Sequence, residues 1–190
     1  MNVYDFDKTI YDGDSTVDFY FYCLRNYPKV YKKVPEVLWF GLLFKLGVIE
    51  KKKFKSIFFG FITLIPDLKG AVESFWSQNR SKIKRFYIEN QKDDDIIISA
   101  SPVFILEPIC RILHINNLIA TEVDTASGRL TGENCYGEEK VRRFYIRNGN
   151  GTSIDEFYSD SLSDSPLANI SAKPFIVAGE KLIPWNEYKK

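Results

Sequence analysis

The chain opens on a short apolar run that ends in charge, VYDFDKTIYDGDS from Val3 to Ser15. Residues 2–6 read as a buried strand. From Thr16 to about Ile88 the apolar positions recur at helical spacing with no convincing alternation. Pro28, Pro35 and Pro66, with Gly41, Gly47, Gly60 and Gly70, cut that stretch into several helices. Strand character returns in DDDIIISASP, where Ile96, Ile97 and Ile98 sit between polar turn residues. PVFILEPICRIL predicts a helix over 102–113 with Pro102 in its first turn. LIATEVDTASGRLTGENC predicts two strands joined by a turn at 126–128. EEKVRRFYIRNG predicts a helix stopped by Gly149. SIDEFYSDSLSDSPLANI predicts strand, polar loop and short helix, and PFIVAG a last strand.

Outside the helical stretch the order is strand, helix, strand, helix, strand. That alternation predicts an α/β fold with a parallel sheet and crossover helices. The expected division is a core of residues 1–15 and 91–190, with residues 16–90 inserted after the first strand as a helical cap. No repeat or low-complexity run interrupts this reading.

Composition narrows the chemistry. The three cysteines, Cys23, Cys110 and Cys135, have no CxxC spacing and read as buried thiols of a reducing, cytoplasmic setting. The single histidine, His114, leaves little room for zinc sites or histidine-based triads and is expected at a surface or helix end. With a strand beginning at residue 2, no secretory leader is expected before it. The net charge of +1 hides an asymmetry: residues 16–90 hold 14 Lys and Arg against 6 Asp and Glu, and the remainder 12 against 19. A basic half facing an acidic half suits drawing in an anion and holding a cation. The lysines match no nucleic-acid-binding module.

In an open parallel sheet, ligands bind beyond the carboxyl ends of the strands. The first strand delivers Asp5 and Asp7 there, the second Ser99, the third Asp160 and then Asp164, while Lys140 begins a helix between them. Two neighbouring carboxylates repel unless a cation or a shared proton lies between them. Taken singly, each residue has an ordinary reading. Asp5 and Asp7 could be a solvated strand end, Ser99 a helix N-cap, Lys140 a surface lysine, and Asp160 and Asp164 turn and capping residues. Cys135 reads as packing, and Arg142 and Arg143 as a solvated helix face.

Together the residues form a recognisable set. DFDKT resembles the first motif, DxDxT, of the haloacid dehalogenase-like phosphatases. IIISAS resembles their second motif, Lys140 in GEEKV the third, and YSDSLSD the acidic fourth. The order and spacing resemble the subfamily with a helical insert between the first two motifs, as in phosphoserine phosphatases. The resemblance implies a Rossmann-like core and a Mg²⁺-dependent phosphomonoester hydrolase. It implies Asp5 as nucleophile and metal ligand forming an aspartyl-phosphate, and Asp7 as general acid and then base, with its main-chain carbonyl on the metal. Asp160 would be the second carboxylate ligand, and Asp164 would support a metal-bound water or Lys140. Ser99 and the Ala100 amide would hold phosphate oxygens, and Lys140 would neutralise the nucleophile and the transferring group.

The insert carries 17 of the 29 aromatic residues, in DFYFYC, VLWFGLLF and SIFFGFITLIP. They read either as a bundle core or as an apolar groove or membrane-facing surface. Neither apolar run reaches the roughly 18–20 residues needed to span a bilayer. Lys29, Lys32, Lys33, Lys51, Lys52, Lys53 and Lys55 suit peripheral contact with an anionic lipid surface. SASPVFILEPI, IATEVDTASGRLTGENCYGEEKV and KPFIVAG also resemble a branch that includes the phosphatidylglycerophosphate phosphatases. Ser99-Ala100-Ser101 departs from the Ser-Gly-Gly of phosphoserine phosphatases. The expected substrate is a phosphomonoester with an apolar or lipid-like portion. The alternatives are a small amino-acid or sugar phosphate, a phosphotransferase or mutase, and a non-catalytic lipid-surface or protein-binding module.

Overall fold

The computed structural model describes residues 1–188. Six strands form one sheet: β1 (Asn2–Tyr4), β2 (Ile96–Pro102), β3 (Asn117–Thr121), β4 (Ile154–Ser159), β5 (Ser171–Ala178) and β6 (Lys181–Pro184), in the order β3-β2-β1-β4-β5-β6. All neighbours are parallel except β5 and β6. β1 is central because its residues are buried on both faces, as a parallel strand covered by helices must be.

The register explains the two-sided core. Val3 pairs with Ile96 and Phe157, and these three point to one face. Tyr4 pairs with Ile97 and Tyr158, which point to the other. The first face is covered by α7 (Glu138–Asn148) and α8 (Ser165–Ala168) through Phe144 and Leu167. The second is covered by α6 (Val103–Ile112) and by the helices between β1 and β2. Across the sheet, Tyr4 stacks on Tyr158 at 4.6 Å and Tyr158 on Phe175 at 5.3 Å, so three adjacent strands share an aromatic ladder.

Between β1 and β2 lie α1 (Ser15–Asn26), α2 (Val34–Lys45), α3 (Lys51–Phe58), α4 (Leu68–Asn79) and α5 (Arg85–Asn90), with 3₁₀ turns at 28–33, 59–64 and 80–82. Asp14 and Asp67 start α1 and α4 by accepting from Val17 N and Gly70 N at 3.0 and 2.9 Å. Such caps contribute about 1 kcal/mol each. Phe19, Tyr20, Tyr22, Phe59, Phe61, Phe75 and Trp76 are buried together, so most of these aromatics are a bundle core. Trp76 Nε1 donates to Ile105 O at 2.6 Å and ties α4 to α6. α2 differs: none of its residues is buried.

The two connections to these helices run side by side. Tyr11 and Ile83 form an antiparallel bridge, Asp12 N donates to Lys82 O at 2.8 Å, and Lys84 N donates to Ile10 O at 2.7 Å. At the far end, α3 meets the 122–136 segment. Leu130 N donates to Ser56 Oγ at 3.3 Å, and Lys52 pairs with Glu133 at 2.5 Å. Gly128 has φ +74°, and a Cβ there would lie 2.5 Å from Phe59 O. Only glycine permits that approach.

Three expectations change. PFIVAG is not the last strand: β6 follows antiparallel after a tight turn at Gly179, whose φ is +65°. Of the two strands expected in 118–135, the first is β3. The returning arm pairs only through the Val123–Leu130 bridge and the bonds Asp124 N to Arg129 O and Thr131 N to Glu122 O. Its Gly132, Glu133 and Asn134 turn instead toward α3 and α7. Pro102 closes β2 and caps α6 from outside the helix, where its fixed φ fits the extended backbone.

Candidate active site

The carboxyl ends of β1, β2 and β4 open on one cleft of about 520 Å³. Asp5 follows β1, and its N donates to Tyr158 O at 2.9 Å, so the sheet ladder continues through the residue and fixes its direction. Lys140, in the first turn of α7, is 2 % exposed. Its Nζ donates to Asp5 Oδ1 and to Asp164 Oδ2, each at 2.8 Å. Burial opposes the ammonium charge, but Asp5 and Asp164 outweigh it and hold the group above the ordinary lysine range. Burial pushes Asp5 up to about 7; Lys140 works against this rise, and the Asp164 and Asp7 charges add to it.

Asp7 lies in the turn after β1. Ser15 N donates to its Oδ1 at 2.7 Å, and Ser101 Oγ donates to its Oδ2. Burial raises Asp7 to about 6, with the Asp14 charge adding and the hydroxyl and amide donors opposing. Lys8, next in the turn, is left-handed with φ 59°, an uncommon conformation for a side-chain-bearing residue and one that gathers at functional sites.

The other expected residues line the same cleft. Ser99 is buried near the end of β2, and its Oγ accepts from Ser101 N at 3.1 Å. It does not cap α6, since the β2–β3 pairing shifts register after Ser99 and carries the strand on to Pro102. Ala100 presents its carbonyl to Lys55 Nζ at 2.7 Å and to Thr121 Oγ1 at 2.9 Å. Asp160 follows β4, and its N donates to Thr9 Oγ1 at 2.9 Å. Burial raises its carboxyl, and Lys8 partly offsets this. Asp164 precedes α8 but makes no capping bond to it; it is buried, with Ser159 Oγ donating to its Oδ2 at 2.8 Å.

Sequence reasoning missed three contributors. Ser101 holds Asp7, and nothing in SAS separates its role from that of Ser99. Thr9 fixes the Asp160 loop from within the first motif. Lys55 is one lysine in KKKFKS, but Lys51, Phe54, Lys55 and Phe58 share a helical face and all line the cleft, a spacing that was readable. Burial lowers Lys55 to about 8, and Lys51 adds repulsion. Arg143 does not lie on a solvated face. Its guanidinium donates to Ala120 O at 2.7 Å and Glu133 O at 2.6 Å, which pins the segment before α7. Arg142 is exposed and pairs with Glu139. Cys135 is fully buried, its thiol pushed up to about 11 by burial, and His114 is exposed just after α6.

The donor set suits a hard cation. Asp5, Asp7, Asp160 and Asp164 line one cleft, where the buried Lys140 bonds only Asp5 and Asp164, and Asp164 Oδ1 is buried with no hydrogen-bond partner. Among the described residues, no group of three or more His, Cys, Asp or Glu forms a metal cage. Two carboxylates and a main-chain carbonyl fit an ion such as Mg²⁺, which keeps several of its waters.

A family model for haloacid dehalogenase-like hydrolases matches residues 3–169. The chain belongs to this family. It is 30% identical over 112 residues to a histidinol-phosphatase of Neisseria meningitidis serogroup C (strain 8013), a match covering 51% of this chain and 50% of that protein. It is 35% identical over 80 residues to a probable phosphatase of Mycobacterium tuberculosis (strain ATCC 25618 / H37Rv), covering 39% and 28%. The chain thus spans half or less of the length of these curated relatives. Among solved structures, a protein of unknown function from Bordetella pertussis Tohama I superposes with a TM-score of 0.73 at 20% identity, covering 92% of this chain and 87% of the other. A phosphoserine phosphohydrolase-like protein from Francisella tularensis subsp. tularensis SCHU S4 gives 0.57 at 16%, covering 92% and 86%. At those identities the likeness shows the fold: a haloacid dehalogenase-like α/β sheet with helices inserted after β1. No helix among the described residues is long and apolar enough to cross a membrane.

Proposed function

We propose that the chain is a Mg²⁺-dependent phosphomonoester hydrolase working through an aspartyl-phosphate on Asp5, with residues 16–90 as a cap over a core of 1–15 and 91–190. The observation that carries the reading is the buried Lys140 joined to both Asp5 and Asp164, with the separately held Asp7 two residues along the same turn. The phosphatase names of relatives point to the same substrate class.

Asp5, free on one oxygen, attacks phosphorus while the ester oxygen leaves. Asp7, raised toward neutrality by burial, gives that oxygen its proton and the alcohol departs. Asp7, now a carboxylate, takes a proton from water, and the resulting hydroxide attacks the phosphorus of the aspartyl-phosphate. The bond to Asp5 breaks, inorganic phosphate forms, and the carboxylate is restored. Lys140 stays positive throughout and screens Asp5 against the incoming anion. Ser99 and the Ala100 amide hold phosphate oxygens. Asp5, Asp160 and the Asp7 carbonyl would hold Mg²⁺, with Asp164 in support. When bound, the ion supplies charge neutralisation for two anions that must meet.

Val17, Phe54, Phe58, Phe59 and Tyr136 make the cleft beyond the carboxylates largely apolar. That favours an ester with an apolar portion over a small polar one. The test is phosphate release across phosphomonoesters, with acid-quenched protein probed for a hydroxylamine-labile phosphoryl group. Turnover with no such group on wild-type protein, or turnover by Asp5→Asn, would sink the mechanism.

A further inference from the structure

α2 is apolar nearly all round yet buries none of its residues, which is not how a bundle helix sits. Pro35, Leu38, Trp39, Leu42 and Leu46 recur at intervals of three and four residues and form one exposed stripe; Leu38 is 69% and Trp39 59% exposed. The opposite face, through Gly41 and Phe44, packs on Phe54 of α3, with the Phe44 and Phe54 rings stacked at 5.3 Å. The stripe continues into the turn after the helix, where Val48 is 65% exposed beside Gly47. Scattered exposed apolar residues are ordinary, but a continuous stripe marks a surface that is covered in use.

The charges around the stripe indicate what covers it. Lys29, Lys32, Lys45 and Lys53 are exposed, while Glu36, the acid within α2, is engaged by Lys33. A second copy on this face would bring like charges together across a two-fold. An anionic lipid surface instead meets both features, taking the apolar stripe into its acyl boundary and the lysines onto its headgroups. Exposed Trp39 and Tyr31 have the amphipathic rings that settle at such a boundary. A 12-residue helix is about 18 Å long, against about 30 Å of hydrocarbon, so it would lie in the plane of the surface.

We propose that the outward face of α2 and the 46–48 turn is a docking surface for anionic lipid bilayers. The surface rests on α2 and its flanking lysines alone and does not require hydrolysis at Asp5. Because α3, next along the chain, lines the cleft, docking would bring the cleft's cap to the lipid surface.

The experiment is flotation of the 190-residue chain with vesicles of phosphatidylcholine, alone or mixed equally with phosphatidylglycerol, at low and high salt. The chain should float with the mixed vesicles at low salt, with a blue shift of tryptophan emission that Trp39→Phe removes, and should be released by salt. Leu38→Gln with Leu42→Gln should abolish flotation without changing the melting temperature, since both side chains face outward. Lys45→Glu with Lys53→Glu should weaken it by roughly tenfold or more. Failure to float at low salt would overturn the proposal, as would flotation unchanged in the Gln variants. A concentration-dependent dimer that those variants dissociate would assign the face to a second copy instead. Phosphate release from a soluble ester, measured beside flotation, separates failure of this surface from failure of the catalytic reading.

Discussion

Lys140 Nζ and Asp5 Oδ1 lie 2.8 Å apart in a site where both side chains are almost wholly buried. The same ammonium is 2.8 Å from Asp164 Oδ2, so one positive charge serves two carboxylates, one just after β1 and one in the turn after β4. Removing one member of a buried ion pair leaves the others uncompensated, at a cost of about 3–5 kcal/mol. Lys140→Met should lower unfolding stability by that order and abolish phosphate release. Its stability should recover as pH falls through about 7 and Asp5 becomes neutral. Denaturant melts at several pH values check this; a variant as stable as wild type at neutral pH would show that the pair is not a structural linchpin.

Asp7 is set apart from Asp5 by its partners, Ser15 N and Ser101 Oγ rather than a lysine. General acid–base help is typically worth ~10²–10⁴-fold. Asp7→Asn should lose that factor on alkyl phosphates and much less in the first step on an aryl phosphate, whose leaving group needs little protonation. Burial places Asp7 at about 6, and only its protonated form can act as the acid. Pre-steady-state transfer from an alkyl ester should therefore fall as pH rises through that value, while the water step, which needs the carboxylate, gains. Equal first-step losses for both ester types would remove Asp7 from the acid role.

Metal dependence follows from the same carboxylates. Activity should vanish with EDTA, return with Mg²⁺, and return poorly with Ca²⁺, whose larger and looser coordination misplaces the nucleophile. Asp160→Asn should raise the Mg²⁺ concentration needed for half-maximal rate. Full turnover in metal-free buffer would contradict the assignment.

The site was legible in the sequence wherever chemistry coincided with a strand end. Asp5, Asp7, Ser99, Asp160 and Asp164 each follow or close an apolar run, and the sheet edge gathers what those runs deliver. Lys140 was readable through its motif, although its near-complete burial was not, because a lysine on a helix is ordinarily solvated. The burial of Lys55 and of Arg143 was illegible for a related reason, although the helical face that carries Lys55 was readable. Each is buried by a segment distant in sequence, α3 over the 122–136 segment in one case and β3 beside α7 in the other. β6 was missed although Gly179-Glu180 between the apolar runs of PFIVA and, after Lys181, of LIPW is a hairpin signal. The aromatic insert divided in a way that composition could not show: α1, α4 and the 59–64 turn turn their rings inward, while α2 turns its stripe out.

Asp95 offers a test of burial away from the site. It is 2% exposed, its Oδ1 has no hydrogen-bond partner, and burial pushes it up to about 6. A carboxyl raised in the folded state binds its proton more tightly there than when unfolded. Its favourable contribution is full below the unfolded value and is lost as pH rises through about 6. Asp95→Asn keeps the shape and can still accept from Lys92 N, so it should stabilise the protein at neutral pH by about 1–3 kcal/mol. The gain should shrink toward pH 4. Urea melts at both ends of the range check it, and a variant less stable than wild type at neutral pH would show that the ionised carboxylate has a favourable partner.

The apolar wall of the cleft sets the last expectation. Phe54 and Tyr136 both line it, and Tyr136 is 42% exposed with Lys51 Nζ lying 3.4 Å from its ring centre. Neither touches the carboxylates, so they can contribute only through the non-reacting part of a substrate. Tyr136→Ala and Phe54→Ala should leave kcat/KM for a short polar ester near wild type. For esters with a long acyl or aryl portion it should fall by about 10–200-fold or more, the scale set by a single methylene in an apolar pocket. Phe54 also stacks on Phe44, so Phe54→Ala carries a stability cost that a thermal melt separates from the binding effect. Tyr136→Ala has no such partner ring. If both variants slow short and long esters alike, the wall shapes the site but does not select the substrate, and a small polar ester becomes the better reading.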